Sequence, residues 1–333
     1  MSSSASRATP WPQVTVITPA YNVGKYIGQA VDSVLHQTFA DFEYLLINDG
    51  STDYTAAVAL AHAANDSRFK VITVQHRGPG AARNAGLLES KSEFVAFLDG
   101  DDRWHESFLE SQLSLIRSLP EDVGAVFCRS RLILENGTPV FFQWSRAGSY
   151  DFDEFLVGNC PPRNGSSLLI RRSCFEDAGL FDETMPSAQD LDMWLRIANG
   201  AATPIFWANK RFLVDLRLRA GSISRDQTSR EKALEQILEK NVPLLRRVPP
   251  GQAYVGPALT ALKYGTESEV TARWVQEARS VGLPQLASSL TGARFLFWNG
   301  LSAHGRSVVR SAQRRPREAV KRLDALLRAK RQD

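Results

Sequence analysis

Four short apolar runs punctuate the first hundred positions: "VTVIT" (14–18), "YLLIND" (44–49), "FKVITVQ" (69–75) and "FVAFLD" (94–99). Between them lie stretches with apolar residues at three- and four-residue spacing, "YIGQAVDSVLHQTF", "STDYTAAVALAHAAN" and "GAARNAGLLES". Strand and helix periods that alternate in this way specify a doubly wound, mostly parallel α/β sheet. Ligands of such sheets bind outside the carboxyl ends of the strands. The polar clusters "TPAYN", "NDGSTD", "HRGPGAARNAG" and "DGDD" each follow a strand end, so the topology gathers them along one rim.

Beyond Trp104 the alternation loosens. Helices are expected in "ESFLESQLSLIRSL" and "SAQDLDMWLRIANG", the latter burying Leu191, Trp194, Leu195 and Ala198, and strands in "GAVFCRSRLIL" and "SSLLIRR". Ser51 or Thr52 is placed to cap the second helix. From about Arg230 the chain turns to Leu-, Ala-, Arg- and Glu-rich helical sequence. The expected organisation is a disordered N-terminal tail (1–13), an α/β domain (14–229) and a helical C-terminal extension with a basic tail (230–333).

The 40 basic and 36 acidic residues leave a net charge of +4, too balanced for a nucleic-acid partner. Cys128, Cys160 and Cys174 form an odd trio without metal-type spacing, which reads as reduced thiols and argues against zinc. The N-terminus has no apolar signal region and no run of eighteen apolar residues occurs, so a cytoplasmic enzyme or binding protein is expected.

"FVAFLDGDDRW" places three aspartates within four positions at the end of a core strand. In an extended segment Asp99 and Asp101 point the same way, while Asp102 turns aside or into the following loop. Two carboxylates converging with no arginine between them call for a cation, and hard oxygen ligands suit Mg2+ or Mn2+. The competing reading makes them loop and capping residues. Asp49 in "NDGSTD" serves equally as a turn residue or as an acceptor for a base N–H or ribose hydroxyl. The glycine-rich helix start before Arg83 suits phosphate but lacks both the Walker and the dinucleotide-binding patterns. Asp190 and Asp192 fit a helix start, with Arg196 as an ion partner, or Asp190 fits a general base.

Taken in order, "VTVITPAYN", "SVLHQTFADFEYLLINDGSTD", "GPGAARNAG", "FLDGDD" and "GLFDETMPSAQDLDMWLRIA" resemble the family-2 glycosyltransferases of the GT-A fold, over roughly Val14 to Ser224. The resemblance implies an inverting enzyme that moves a sugar from a nucleotide-diphosphate donor, UDP-linked by expectation, to a hydroxyl of a saccharide or lipid-linked acceptor in cell-surface polysaccharide assembly. It implies donor contacts from Pro19, Ala20, Tyr21 and Asn22, with Tyr21 near the base, from Asp49, from Gly78, Arg83 and Asn84, and from Asp99, Gly100 and Asp101. Asp99 and Asp101 correspond to the D-x-D ligands of Mn2+ or Mg2+, with Asp102 adjacent, and Asp190 corresponds to the catalytic base. Two departures stand out: Gln189 replaces the usual glutamate before that base, and Arg219 in "LRLRAGSIS" replaces a histidine, so no ligand role passes to it. Arg217, Arg219 and Ser222 are accessory candidates for phosphate or acceptor.

Two other readings fit parts of the sequence. A non-catalytic sugar-nucleotide-binding protein would share the fold, and a metal-dependent nucleotidyltransferase would share the paired aspartates. The basic tail places Val320, Leu323, Leu326 and Leu327 on one helical stripe, and "ARFLFWNGL" (293–301) is aromatic. Packing on the domain is the first expectation, and peripheral contact with the anionic inner face of the cytoplasmic membrane is the second.

Overall fold

The structure, a computed structural model of the chain, describes residues 10–64, 66–143, 145–151, 164–200, 205–219 and 226–241. Its strands are β1 (Val14–Ala20), β2 (Phe42–Asp49), β3 (Phe69–Val74), β4 (Phe94–Phe97), β5 (Arg103–Trp104), β6 (Val123–Leu134), β7 (Pro139–Gln143), β8 (Gly148–Tyr150), β9 (Leu168–Arg171) and β10 (Ile205–Leu218). Its helices are α1 (Gly24–Leu35), α2 (Thr55–Ala63), α3 (Pro79–Glu89), α4 (Phe108–Arg117), α5 (Ser173–Ala178), α6 (Gln189–Ala198) and α7 (Gln227–Lys240).

The strands form one sheet in the order β3-β2-β1-β4-β9-β6-β10-β5, with β7 beside β6 and β8 beside β10. Pairing is parallel from β3 through β4, which is the half written most plainly in the sequence. In the other half β9 runs antiparallel between β4 and β6, and β10 is parallel to β6 but antiparallel to β5. β1 is central and buried along its whole length, as a run of β-branched residues in a two-sided sheet should be. Val14 and Val16 share a core with Ile27 and Val31 of α1 and Phe108 and Leu113 of α4. Ile17 points to the opposite face, where a Cβ on Gly86 of α3 would meet its side chain at 2.5 Å. Helices therefore cover both faces, and the sheet is doubly wound.

Below the rim, Phe97 packs edge-on to Phe181 at 5.4 Å and lies 6.4 Å from Trp194, with Phe181 6.1 Å from Trp194. Aromatic pairs of this kind add about 0.5–1.5 kcal/mol beyond area burial. The cluster fixes the start of α6 relative to β4. On α6, Trp194, Leu195 and Ala198 are buried as expected, whereas Leu191 is only half-buried and Met193 and Ile197 join the core.

Several expectations change in detail. Neither Ser51 nor Thr52 caps α2: the Asp53 carboxylate accepts from Thr55 N and Gly24 N at 2.9 and 3.0 Å, tying that turn to the start of α1. Ahead of β1, Gln13 O accepts from Phe94 N at 3.1 Å and Lys91 Nζ sits 4.4 Å from the Trp11 ring, so part of the expected tail is engaged. Cys128 and Cys174 are free, buried thiols, and burial pushes the Cys174 thiol up to about 12. Cys160 lies outside the described residues.

The chain divides into two compact units, one of Met1–Asp151, Pro162–Met185 and Gln189–Ala220, the other of Phe152–Pro161, Pro186–Ala188 and Gly221–Asp333. The first carries all ten strands and α1–α6. The second carries α7, which starts before the expected boundary because Asp226 accepts from Ser229 N at 3.1 Å and opens the helix. The basic stripe and the aromatic segment lie outside the described residues, as does Ser222. No described helix is long and apolar enough to cross a membrane.

Candidate active site

β1, β2 and β4 end side by side, and the turns that leave them build the rim. At the end of β2 the Asp49 side chain is buried and accepts from Arg77 N, Gly78 N and His76 Nδ1, each at 2.9 Å. One carboxylate thereby holds the whole 76–78 turn, which presents Gly78 (φ 95°) at the start of α3. His76 stacks on Tyr21 with ring centroids 3.8 Å apart and planes inclined at 16°. Tyr21 remains 40% exposed, so an aromatic surface stands at the mouth of the rim, supported from beneath by Asp49 through His76. Pro19 and Ala20 are buried strand-end residues. Asn22, exposed and in the left-handed region at φ 50°, accepts from Thr52 N at 2.9 Å and joins the first two turns.

The acidic cluster follows β4. Asp102 N donates to Asp99 O at 2.9 Å, closing a turn at the strand end. Asp102 points inward: it is buried, accepts from Ser166 Oγ at 2.7 Å and from Arg217 N at 2.9 Å. Burial, then the charges of Asp101 and Asp99, push its carboxyl well above the usual carboxylate range. Asp99 and Asp101 face outward, yet each meets an arginine. Arg83 Nη2 lies 2.6 Å from Asp99 Oδ1, and Arg219 Nε donates to Asp101 Oδ2. The sequence-based premise that no arginine stands between these acids is therefore corrected: α3 and the end of β10 deliver one to each. Burial and the neighbouring Asp99 nevertheless raise the Asp101 carboxyl above its ordinary value.

These residues fit a divalent cation within limits. Asp99 Oδ2 and Asp101 Oδ1 have no side-chain partner among the described residues, and two repelling, half-sequestered carboxylates gain from added positive charge. No third His, Cys, Asp or Glu completes a cluster among the described residues, so other ligands would be phosphate oxygens and water. Arg83 is 6% exposed, and its Nε is buried without a hydrogen-bond partner among the described residues.

Three other expected contact residues are engaged within the fold. Gly100 is required by packing, because a Cβ there would lie 3.0 Å from Val23 Cγ2 and 3.2 Å from Ile27 Cδ1. Asn84 is buried and binds Phe181 through both backbone groups, donating to its O at 2.9 Å and accepting from its N at 2.7 Å. Arg217 is buried and spends its guanidinium on Asp101 O, Glu135 O and Gln29 Oε1, so it is unavailable to phosphate or acceptor.

Asp190 stands in the first turn of α6, where its Oδ1 lies 2.8 Å from Leu191 N. Arg196 pairs with Asp192 at 2.9 Å. Gln189 turns its amide to Met185 O at 3.0 Å and lies 3.7 Å from where a Cβ on Gly80 would be, so α6 begins against the start of α3. Glu183 ties the same regions together through Arg77 and Asn84. His76, Ser166 and Glu183 went unnoticed in the sequence; only His76, first in a polar cluster after β3, carried a signal.

The profile of Glycosyl transferase family 2 matches residues 15–179. The chain is 30% identical over 226 residues to the "Putative teichuronic acid biosynthesis glycosyltransferase TuaG" of Bacillus subtilis, covering 66% of this chain and 84% of that protein. It is 31% identical over 195 residues to an "Uncharacterized glycosyltransferase" of Rickettsia bellii, and there it spans only 28% of the relative, against 57% of itself. A second relative, from Rickettsia typhi, is matched over 58% of its length. Among solved structures, S. aureus TarS 1-349 in complex with UDP-GlcNAc superposes with a TM-score of 0.60 at 21% identity, covering 84% of this chain and 79% of that one. The mannosyltransferase PcManGT from Pyrobaculum calidifontis in complex with GDP-Man and Mn2+ gives 0.57 at 20% identity, covering 87% and 82%. The shared fold is the GT-A type.

Proposed function

The chain belongs to glycosyl transferase family 2, and from that premise we propose that it is a glycosyltransferase that moves a sugar, with inversion, from a uridine diphosphate donor to an acceptor hydroxyl. The observation that carries this reading is the meeting of Arg83, Asp99 and Asp101 beyond β4, one turn away from an aromatic surface at Tyr21. Tyr21 and His76 receive the base, and Asp49 acts through the 76–78 turn it holds. The Arg83 guanidinium, held beside Asp99, binds diphosphate oxygen. Asp99 and Asp101 would hold Mn2+ or Mg2+, which would supply positive charge toward a departing diphosphate. Asp190 takes the proton from the acceptor hydroxyl, help of about 10²- to 10⁴-fold in rate.

UDP-GlcNAc bound to TarS supports a uridine donor, GDP-Man and Mn2+ bound to PcManGT support a nucleotide sugar with a divalent ion, and the TuaG name supports a polysaccharide acceptor. The acceptor is a saccharide or lipid-linked saccharide, reached at the cytoplasmic side of the membrane. A panel of sugar nucleotides with Mn2+ or Mg2+ tests the reading: release of nucleoside diphosphate supports it. Release of pyrophosphate, or no release from any donor, contradicts it.

A further inference from the structure

Beside the acidic cluster lies a group that the proposed reaction does not use. Arg103 of β5 and Arg131 of β6 both donate Nε to the carboxylate of Asp215 on β10, at 2.8 and 2.6 Å. Asp215 is 4% exposed, while the two arginine side chains are 38% and 39% exposed. Because each guanidinium is held by its Nε, the Nη edges of both are left without a hydrogen-bond partner among the described residues. Both arginines line an open cavity of about 340 Å³, with Trp104 as its wall and His105 and the exposed Glu106 at its edge.

The arithmetic of charge is informative. One buried carboxylate offsets one guanidinium and the solvated Glu106 formally balances the second, so the lining is neutral in sum, with its positive charge on the two guanidinium groups and its second negative charge out in solvent. Each guanidinium is fixed through its Nε and lines the same cavity, and a guanidinium matches an oxyanion in geometry better than an ammonium does.

Position assigns the anion a role. Asp215 pairs in register with Arg103 across antiparallel β10 and β5, Asp102 takes Arg217 N, and Asp101 takes Arg219. The cavity thus adjoins the acidic turn along the same pair of segments, with Arg103 two residues after Asp101. We propose that Arg103 and Arg131, organised by Asp215, bind an anionic group of the acceptor, a phosphate or a sugar carboxylate. The acceptor assignment rests on the glycosyltransferase reading above; the anion site itself does not.

The test uses inorganic phosphate titrated into the full chain with no donor and no metal, followed by ³¹P line broadening. Saturable binding is expected, weakened about tenfold in Arg131→Gln and in Arg103→Gln, as loss of one charge-assisted fork implies. Phosphate binding unchanged in both variants overturns the proposal. Should those variants fail to fold, Glu106→Gln decides: removal of an exposed negative charge tightens binding by about twofold if the site is real, and an unchanged constant refutes it. Competition by glycerol phosphate and by glucuronate separates the two sources of the anion. A chain that binds phosphate through Arg131 yet releases no nucleoside diphosphate from any sugar nucleotide sinks the donor reading and leaves the anion site standing.

Discussion

Arg219 donates its Nε to the carboxylate of Asp101 across 118 residues of chain, at the position where the family resemblance leads one to expect a histidine. A cation that binds Asp101 must share that carboxylate with a guanidinium. Ion pairs of this partial exposure are worth about 1 kcal/mol, equivalent to about fivefold in a binding constant. Arg219→Gln is therefore expected to bind Mn2+ about fivefold more tightly than the parent in the absence of donor, read by the free Mn2+ electron paramagnetic resonance signal. Equal affinity would show that Arg219 and the metal do not compete.

Asp190→Asn is expected to lower the rate of sugar transfer by about 10²- to 10⁴-fold while leaving the dissociation constant of the donor close to that of the parent. The amide keeps the size and the contact to Leu191 N but cannot take a proton. Steady-state transfer combined with calorimetric donor binding separates the two effects.

How much of this was readable beforehand depends on which forces write themselves locally. β1 to β4 announce themselves because each is an apolar run with turn chemistry at its end, and the rim follows from parallel pairing. β10 was missed because Lys210, Arg211, Asp215 and Arg217 interrupt it. Asp215 and Arg217 are buried, and they make sense as strand residues only beside Arg103, Arg131 and Asp102, which lie 84 to 115 residues away. The acids of the site were legible for the same local reason as the strands. Their arginine partners were not, since Arg83 and Arg219 reach them through the fold. Gly100 and Asn84 look alike in sequence to ligand contacts, and only their neighbours Val23, Ile27 and Phe181 reveal packing roles.

Asp102 supports the cluster from below. Asp102→Ala strands two buried donors, Ser166 Oγ and Arg217 N, at about 1–3 kcal/mol each. A loss of about 2–6 kcal/mol in urea unfolding is expected. Asp102→Asn, which can still accept from Arg217 N, should lose less. Equal losses would place the contribution in charge and not in hydrogen bonding.

The turn before β3 gives a pH signature. Arg68 hydrogen-bonds Asp66 and holds its carboxyl below the ordinary value, while its guanidinium also reaches Leu35 O at 3.2 Å. A carboxyl depressed in the folded state stabilises the protein above the unfolded pKa, about 3.9, and loses that contribution as pH falls through the folded value. The melting-temperature gap between parent and Asp66→Asn should be full near neutral pH and shrink below the ordinary carboxylate range. A gap independent of pH would contradict the assignment.

The central claim is that the outward acids after β4 serve a departing diphosphate. Its most direct measurement is nucleoside diphosphate release from a UDP-sugar with Mn2+, comparing the parent with Asp101→Asn. The account predicts a loss of about 10²-fold or more, in line with removal of one electrostatic stabiliser of a transition state. Release by Asp101→Asn as fast as by the parent would contradict it.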